Sequence, residues 1–298
     1  MSLFGKPETP ADERRARSEE QVARGGLPLD AERRLRGLKE RSKAGFFTSS
    51  LSVNELVLAA AQGVRPLGQV QGSSVYHVGW QYTPMYVSEE LLPLTHAQTQ
   101  VRRLALSRLQ QEAQLLGAHG VVGVRLERRG YEWGANLLEF TARGTAVAID
   151  GEPLPALPFV SALSGQEHYA LRQAGHHPVG FAFGTCVYYL VASFMTQVAT
   201  QGGAWGGGWG SNMELTDYTK AVYLARHAAQ TRMADEARRV GADGVVGVTV
   251  EPVIKTYEVE VNNQTRRDLL VHFTAFGTAI AGSGTAHEPI NYALPLVG

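Results

Sequence analysis

The chain contains the same structural segment twice. Residues 117–124 read GAHGVVGV and residues 241–248 read GADGVVGV, and each follows a long helical pattern that is rich in Ala and Arg. A duplicated unit must fold in two places, so the residues present in both copies are those that the fold requires. Neither copy carries a catalytic signature. The repeat therefore predicts an architecture and a mode of assembly rather than a reaction.

Ungapped offsets define the extent of the repeat. An offset of 112 positions aligns Leu51 with Leu163, and a later offset of 124 positions aligns Glu90 with Glu214. The second copy has gained about a dozen residues in a Gly-Trp loop, residues 202–212, and its last hairpin is also longer. We therefore divide the chain into four parts: a charged arm that is flexible or helical (1–43), a first repeat (44–154), a second repeat (155–283) and a tail (284–298).

Each repeat is predicted to be an α+β unit, with a mixed or antiparallel sheet packed against two helices. Ser52 and Ser164 each precede a helical pattern and have a Glu three residues later, which is the signature of a capping box. Gly117 and Gly241 follow the long helices and fit a left-handed helix end. The predicted strands lie at 47–51, 66–79, 121–127 and 137–149, then at 159–163, 178–191, 245–253 and 269–281, and the long helices lie at 96–116 and 217–240.

The long helices carry charges at matching positions. Arg108 and Glu112 lie four residues apart, as do Arg232 and Glu236, and this spacing predicts ion pairs along the helix surface. Two interpretations remain open for these charges. They belong either to a solvated helix face or to an interface between repeats or subunits.

Composition excludes several classes of protein. The 28 Lys and Arg residues balance the 28 Asp and Glu residues, so no net charge recruits nucleic acid or an anionic membrane. A single cysteine, Cys186, cannot form an internal disulfide, and the first 20 residues lack the apolar core of a signal peptide. Residues 178–199 are apolar, but their counterpart at 66–87 is polar, so both are predicted as sheet segments. We expect a cytoplasmic protein.

The repeated residues resemble a known family. The stretch LARHAAQTRMADEARRVGADGVVGV with a later GTAI, and LALSRLQQEAQLLGAHGVVGVRLE with a later RGTAV, are similar to YbjQ-like domains, bacterial domains described as heavy-metal-binding. The two matches cover nearly all of residues 46–282. The resemblance implies an α+β domain that assembles into rings, commonly pentamers, and that has no established enzyme activity. A tandem chain either supplies two units to one ring or builds two stacked rings.

Metal binding is implied by the resemblance, so ligands must be sought in this chain. Heavy metals prefer thiolates, and zinc sites usually cluster four Cys, His or carboxylate ligands. The candidates are Cys186, His77, His176 and His177. His176 and His177 are adjacent in a turn and point apart, whereas a ring could bring Cys186 or His77 from several subunits onto one axis. Cys186 also fits a buried small apolar residue, so a divalent or heavy metal ion remains an open cofactor.

Two segments are candidates for binding a protein partner. The Gly-Trp loop presents Trp205 and Trp209, which suit docking or packing on a neighbouring subunit, and it lacks the Gly-Lys-Ser/Thr of a phosphate-binding loop. The arm places Arg33, Arg34 and Arg36 around apolar residues, a pattern that fits either a binding helix or a plain solvated helix.

The sequence favours a non-enzymatic cytoplasmic protein that forms a homo-oligomeric ring. The alternative is a metal-binding or metal-sensing ring with sites at subunit junctions. An enzyme that acts on a small ligand between the repeats is a third hypothesis, but no residue of the chain is a candidate catalyst.

Overall fold

A computed structural model describes residues 9–77, 86–130, 137–201, 213–261 and 264–282. The helices are α1 (Pro10–Ala23), α2 (Leu29–Lys43), α3 (Val53–Ala61), α4 (Leu92–Leu116), α5 (Gly165–Gln173), α6 (Phe194–Gln201) and α7 (Thr216–Arg239). The strands are β1 (Val64–His77), β2 (Glu89–Glu90), β3 (Gly120–Gly130), β4 (Leu137–Ile149), β5 (Phe159–Val160), β6 (His176–Leu190), β7 (Gly244–Val261) and β8 (Gln264–Gly282). None of the helices in these ranges combines the length and the apolar character needed to cross a bilayer.

The strands form two four-stranded sheets that repeat the same design. Their orders are β1-β4-β3-β5 and β2-β6-β8-β7, and the three long strands of each sheet pair in an antiparallel manner. Matching irregularities fall between Pro66 and Gly68 and between Pro178 and Gly180. The α+β fold with two tandem repeats is therefore confirmed, and each sheet is covered by the long helix of its own repeat.

Local sequence signals explain the helix ends. Ser52 and Ser164 form complete capping boxes with Glu55 and Glu167, as the spacing predicts. Gly117 ends α4 with a φ of 76°, a left-handed conformation that glycine adopts without strain. Each sheet has a second bulge, which contains Gly123 in β3 and Gly247 in β7. These residues have φ values of 63° and 61°, in the left-handed region that favours glycine.

The long helices press closely on their own sheets. A side chain at Gly72 or Gly184 would overlap helix backbone, at Ala105 and Leu109 or at Ala229 and Met233. The face of α7 that meets the sheet is buried and consists almost entirely of small residues; its buried residues are Ala221, Ala225, Ala229, Met233 and Ala237. Small helix residues and strand glycines together set the short distance between the helix and sheet layers.

The described part of the charged arm, residues 9–43, consists mainly of the helices α1 and α2 and packs on the first repeat. Leu27, Leu35 and Leu38 are buried with the core residues of α4 and β1, whereas α1 has no buried residue. The arm therefore adds a covered flank to the first repeat.

Three details of the sequence predictions differ from the structure. Residues 47–51 form no strand, and the matching strand β5 covers only residues 159–160. The predicted ion pairs within the long helices are wrong, since Glu112 binds Arg34 and Glu236 binds Arg103. The prediction of residues 178–199 as a sheet segment is wrong beyond Leu190, because β6 ends there and residues 194–201 form helix α6.

We expect Gly184→Ala to destabilise the fold by about 1–3 kcal/mol, because its Cβ would displace the backbone of α7. Gly37→Ala is the matched control: apart from the adjoining turns of α2, no described atom lies within 4 Å of its Cβ, and alanine favours the helical backbone of α2. Urea unfolding of both variants checks the difference. Equal midpoints would contradict the close packing.

Candidate assembly interface

The two repeats are joined by an exchanged strand. β5, the first strand of the second repeat, pairs in parallel with β3 of the first repeat. Backbone bonds of 2.8–3.1 Å extend this pairing from Phe159 to Leu163, with the N–H groups of Gly123 and Val124 donating to the Leu163 and Ser161 carbonyls. The bulge at Gly123 releases these donors from β4, so the second repeat satisfies them.

The exchanged segment, residues 159–163, is fixed to its own repeat by contacts with the hydroxyl group of Thr278. The Ala162 N–H donates to Thr278 Oγ1 at 2.9 Å, and Ser161 Oγ lies 3.3 Å from the same atom. In the first repeat, the Ser50 N–H donates to Thr145 Oγ1 at 3.0 Å and Ser49 Oγ lies 3.3 Å away. Residues 47–51 are therefore held in the position of β5 although they pair with no strand among the described residues.

A second strand crosses in the opposite direction. β2, from the first repeat, pairs with the outer edge of β6 in the second, at Tyr188 and Tyr189. Glu90 continues this contact because both of its carboxylate oxygens bind the Arg232 guanidinium, at 2.6 and 2.8 Å. Such a bidentate pair fixes position as well as charge.

Helix α4 supplies buried polar residues at the centre of the contact between the two repeats, which we call the joint. Arg102 is 2% exposed, donates to Thr274 Oγ1 of the second repeat at 2.9 Å, and lies 4.3 Å from the centre of the Phe140 ring. Burial lowers its pKa to about 9. Nearby, Arg103 pairs with Glu236 at 3.5 Å. The interface interpretation is therefore correct for the charges of the second long helix, because Arg232 and Glu236 both contact the first repeat.

His272 adds a titratable group to the joint. Its Nδ1 accepts a hydrogen bond of 2.8 Å from Arg128 of the first repeat, and its Nε2 lies 3.2 Å from Thr185 Oγ1. This arrangement requires a neutral imidazole with its proton on Nε2. Burial, with Arg102 and Arg128 nearby, lowers the pKa of His272 to about 3.

Each sheet lacks one of the strands that the other has. The second sheet has nothing equivalent to β5 on the outer edge of β7, and the first has nothing equivalent to β2 on the outer edge of β1, within the described residues. Val248 is 45% exposed on this open edge, whereas the matching Val124 is 3% exposed. The ring of Phe159 covers Gly120, whereas no described atom lies within 4 Å of a Cβ at Gly244.

The candidate metal ligands do not meet. Cys186 is buried on β6, where burial raises the pKa of its thiol to about 12. His176 and His177 line a pocket with His168, while His77 lies at the exposed end of β1. Throughout the described ranges, no three His, Cys, Asp or Glu side chains are placed to hold a metal ion.

The candidate partner residues are placed in part. Trp205 and Trp209 lie outside the described residues. Arg33 and Arg36 pair with Asp30 and Glu32 on the exposed side of α2. Arg34 instead reaches Glu112 on α4 at 2.7 Å, so it holds the arm in place.

Sequence reasoning missed the role of the joint residues. The matched pairs of Glu90 with Glu214, and of Arg102 with Arg226, were visible in the alignment of the repeats. That signal does not reveal that Glu90 and Arg102 contact the other repeat. His272 has a counterpart, Glu139, of different chemistry, so the alignment gave no signal there.

Comparison with known proteins places the chain in a family context. The model of the YbjQ family, described as "Putative heavy-metal-binding", matches residues 67–150 and 208–282. A protein of Mycobacterium tuberculosis named "Encapsulin nanocompartment protein" is 39% identical over 257 residues, which cover 84% of this chain and 92% of that protein. A UPF0145 protein of Halalkalibacterium halodurans is 34% identical over 90 residues, covering 28% of this chain and 83% of that protein. No solved structure matches the chain significantly.

We expect the joint to weaken in acid through His272. The unfolded chain binds a proton at this side chain below about pH 6.5, whereas the folded chain keeps it neutral down to about pH 3, so the free energy of unfolding falls as pH decreases between these values. His272→Gln should reduce the loss of stability between pH 7 and pH 5 by about 1–2 kcal/mol. Urea unfolding at both pH values measures it, and an identical pH dependence in the two proteins would refute the assignment.

Proposed function

The chain belongs to the YbjQ family, and we propose that it is a non-enzymatic protein that assembles into a homo-oligomeric ring. In this proposal, the second repeat of one copy joins the first repeat of the next. The contact uses the same type of joint that links the two repeats within the chain.

One observation carries the proposal: within the described residues each sheet is one strand short, and the chain holds two segments that match the missing strands. Residues 47–51 are clasped to Thr145 in the position of β5, and the open edge of β7 would receive them. Residues 213–214 match β2, and the open edge of β1 would receive them. Open strand edges carry unpaired N–H and C=O groups that favour pairing with another chain.

The geometry of this contact favours a closed assembly of many copies. Different surfaces of the chain meet in it, so the contact is head-to-tail and generates a ring when the rotation closes. Each copy contributes two repeats, so a single ring built in this way holds an even number of repeats. Rings of five repeats, the pentamers that the family resemblance implies, would therefore need a different arrangement, such as five chains whose first and second repeats form two stacked rings.

Two further facts support an assembly role. The Mycobacterium tuberculosis relative is named for a nanocompartment, which is a multi-subunit structure. The apolar side chains exposed on β7, among them Val248 and Val250, are typical of a surface that another chain covers. We also place the assembly in the cytoplasm, because a buried free thiol at Cys186 fits a reducing compartment.

The metal-binding alternative has one argument in its favour, the description of the family. No group of described side chains has the geometry of a metal site, and the Cys186 thiol stays protonated at neutral pH because burial raises its pKa. A sensing role would need ligands from several copies. We therefore do not adopt it as a second function.

We expect the purified chain to have the mass of a discrete oligomer at micromolar concentration, and Val248→Arg to reduce it to single chains. Val248 is 45% exposed, so the change should alter the stability of the single chain by no more than about 0.5 kcal/mol. In the assembly, the arginine would be buried at the position that corresponds to Val124. Light scattering coupled to size-exclusion chromatography gives the mass.

Ile254→Arg is the matched control, because Ile254 is 51% exposed on the same strand but lies beyond the predicted contact. It should leave the oligomer intact. A chain that remains monomeric at micromolar concentration would remove the basis of the proposal.

A further inference from the structure

One flank of the first repeat, around Arg108 and Glu112, is covered by the N-terminal arm. The matching positions of the second repeat, Arg232 and Glu236, contact the preceding repeat. In the second repeat, helix α4 and strand β2 of the preceding repeat approach α7 at Arg232 and Glu236. In the first repeat, the matching residues of α4 are Arg108 and Glu112, and they contact the N-terminal arm.

The glutamates show the correspondence most directly. Glu236 accepts from the Phe183 N–H at 3.3 Å with one oxygen and from Arg103 of the preceding repeat at 3.5 Å with the other. Glu112 accepts from the Gln71 N–H at 2.8 Å with one oxygen and from Arg34 of the arm at 2.7 Å with the other. Gln71 and Phe183 are matched by the offset of 112 positions. Arg34 therefore takes the place of Arg103.

Arg108 and Arg232 show the same correspondence between the two repeats. Arg108 donates to the Ser73 carbonyl just as Arg232 donates to the Thr185 carbonyl, at 2.6 and 2.7 Å. The remaining N–H groups of Arg232 bind Glu90 of the preceding repeat. Those of Arg108 bind the carbonyl of Val22 in the last turn of α1 and the carbonyl of Gly26 in the loop that follows, at 3.1 and 3.2 Å.

Apolar contacts fix the arm over this flank. Leu35 is fully buried, and Leu38 packs so closely on Gly68 that a side chain there would collide with it. At the matching Gly180, Val240 of the same repeat is the one described residue within 4 Å of a Cβ. The arm thus covers the first repeat with its own side chains at a position that the second repeat leaves uncovered.

We propose that this flank, centred on Arg108 and Glu112, is the docking surface for α7 of a second copy, and that the arm must leave it before that copy can dock. The inference rests on the proposed head-to-tail assembly and names its second, helical contact. The matching positions identify the incoming groups: Glu214 of the second copy binds Arg108 in place of the arm carbonyls, and His227 faces Glu112 in place of Arg34.

The free end of the second repeat is suited to this role. Glu214 and His227 are exposed, and Arg226, which matches the buried Arg102, is exposed as well. The backbone that leads into α7 already has the shape seen in the joint: Leu215 has φ and ψ of −85° and 86°, and Leu91 has −80° and 78°. The opposite charges of Glu214 and Arg108 favour a second copy of this chain as the occupant.

The test loosens the arm in the full-length chain and measures assembly. Leu35→Asp combined with Leu38→Asp removes the apolar anchor, and the mass distribution is then followed against protein concentration. Because the arm reduces the fraction of competent chains, its release should lower the midpoint concentration of assembly by about tenfold or more. Circular dichroism and urea unfolding establish that the two repeats remain folded.

Single substitutions keep the test valid if the double variant fails to fold. Arg34→Ala removes the bond from the arm to Glu112 and should also promote assembly, whereas Arg103→Ala removes the matching bond of the internal joint and should not. Glu214→Ala should weaken assembly without changing the stability of the single chain, since Glu214 is exposed.

The outcomes separate this inference from the proposed function. Stronger assembly of the Leu35/Leu38 and Arg34 variants supports it. Assembly that is unchanged or weaker in these variants, while the native chain forms oligomers, shows that the arm does not compete and overturns it. If neither the native chain nor any variant assembles, the proposed function itself fails.

Discussion

The structure depends on one interaction, the parallel pairing of residues 159–163 with β3 of the preceding repeat. At the bulge, the N–H groups of Gly123 and Val124 do not pair with β4, and backbone donors left without acceptors in a covered position would be costly. The next repeat supplies the acceptors. The joint is therefore not an optional contact between two finished domains, because each repeat is completed only by a segment of its neighbour.

Buried polar groups also fix the alignment of the two repeats at the joint. Buried polar groups from both repeats meet behind the exchanged strand, where Arg102, Thr274 and His272 must find their partners within a small space. Because an unpaired buried polar group is expensive, a shifted register would be disfavoured far more strongly than in an apolar contact. In the single chain, the N-terminal arm reproduces the polar contacts of a preceding repeat at the end where the chain itself supplies none. Repeat proteins commonly need such a covered end to remain soluble.

Much of the fold could be predicted from the sequence, for identifiable reasons. The glycine that ends each long helix, the capping boxes at Ser52 and Ser164 and the alanine face of α7 are local signals, and the repeat displays each of them twice. The contacts between repeats could not be predicted, because an alignment of two copies shows which residues match and not which copy they touch. Thus Arg108 and Glu112 seemed to pair along one helix, whereas each binds the arm. Residues 47–51 have the sequence of a strand but pair with no strand in the described part of the chain.

The most direct test is a structure of the assembled particle at a resolution that shows the strands. The account predicts that at every contact between copies, residues 47–51 of one chain lie in parallel beside Gly244–Val248 of the next, in the register that joins Phe159 to Gly120 within each chain. An assembled particle in which the outer edge of β7 faces solvent, or contacts a different surface, would contradict it.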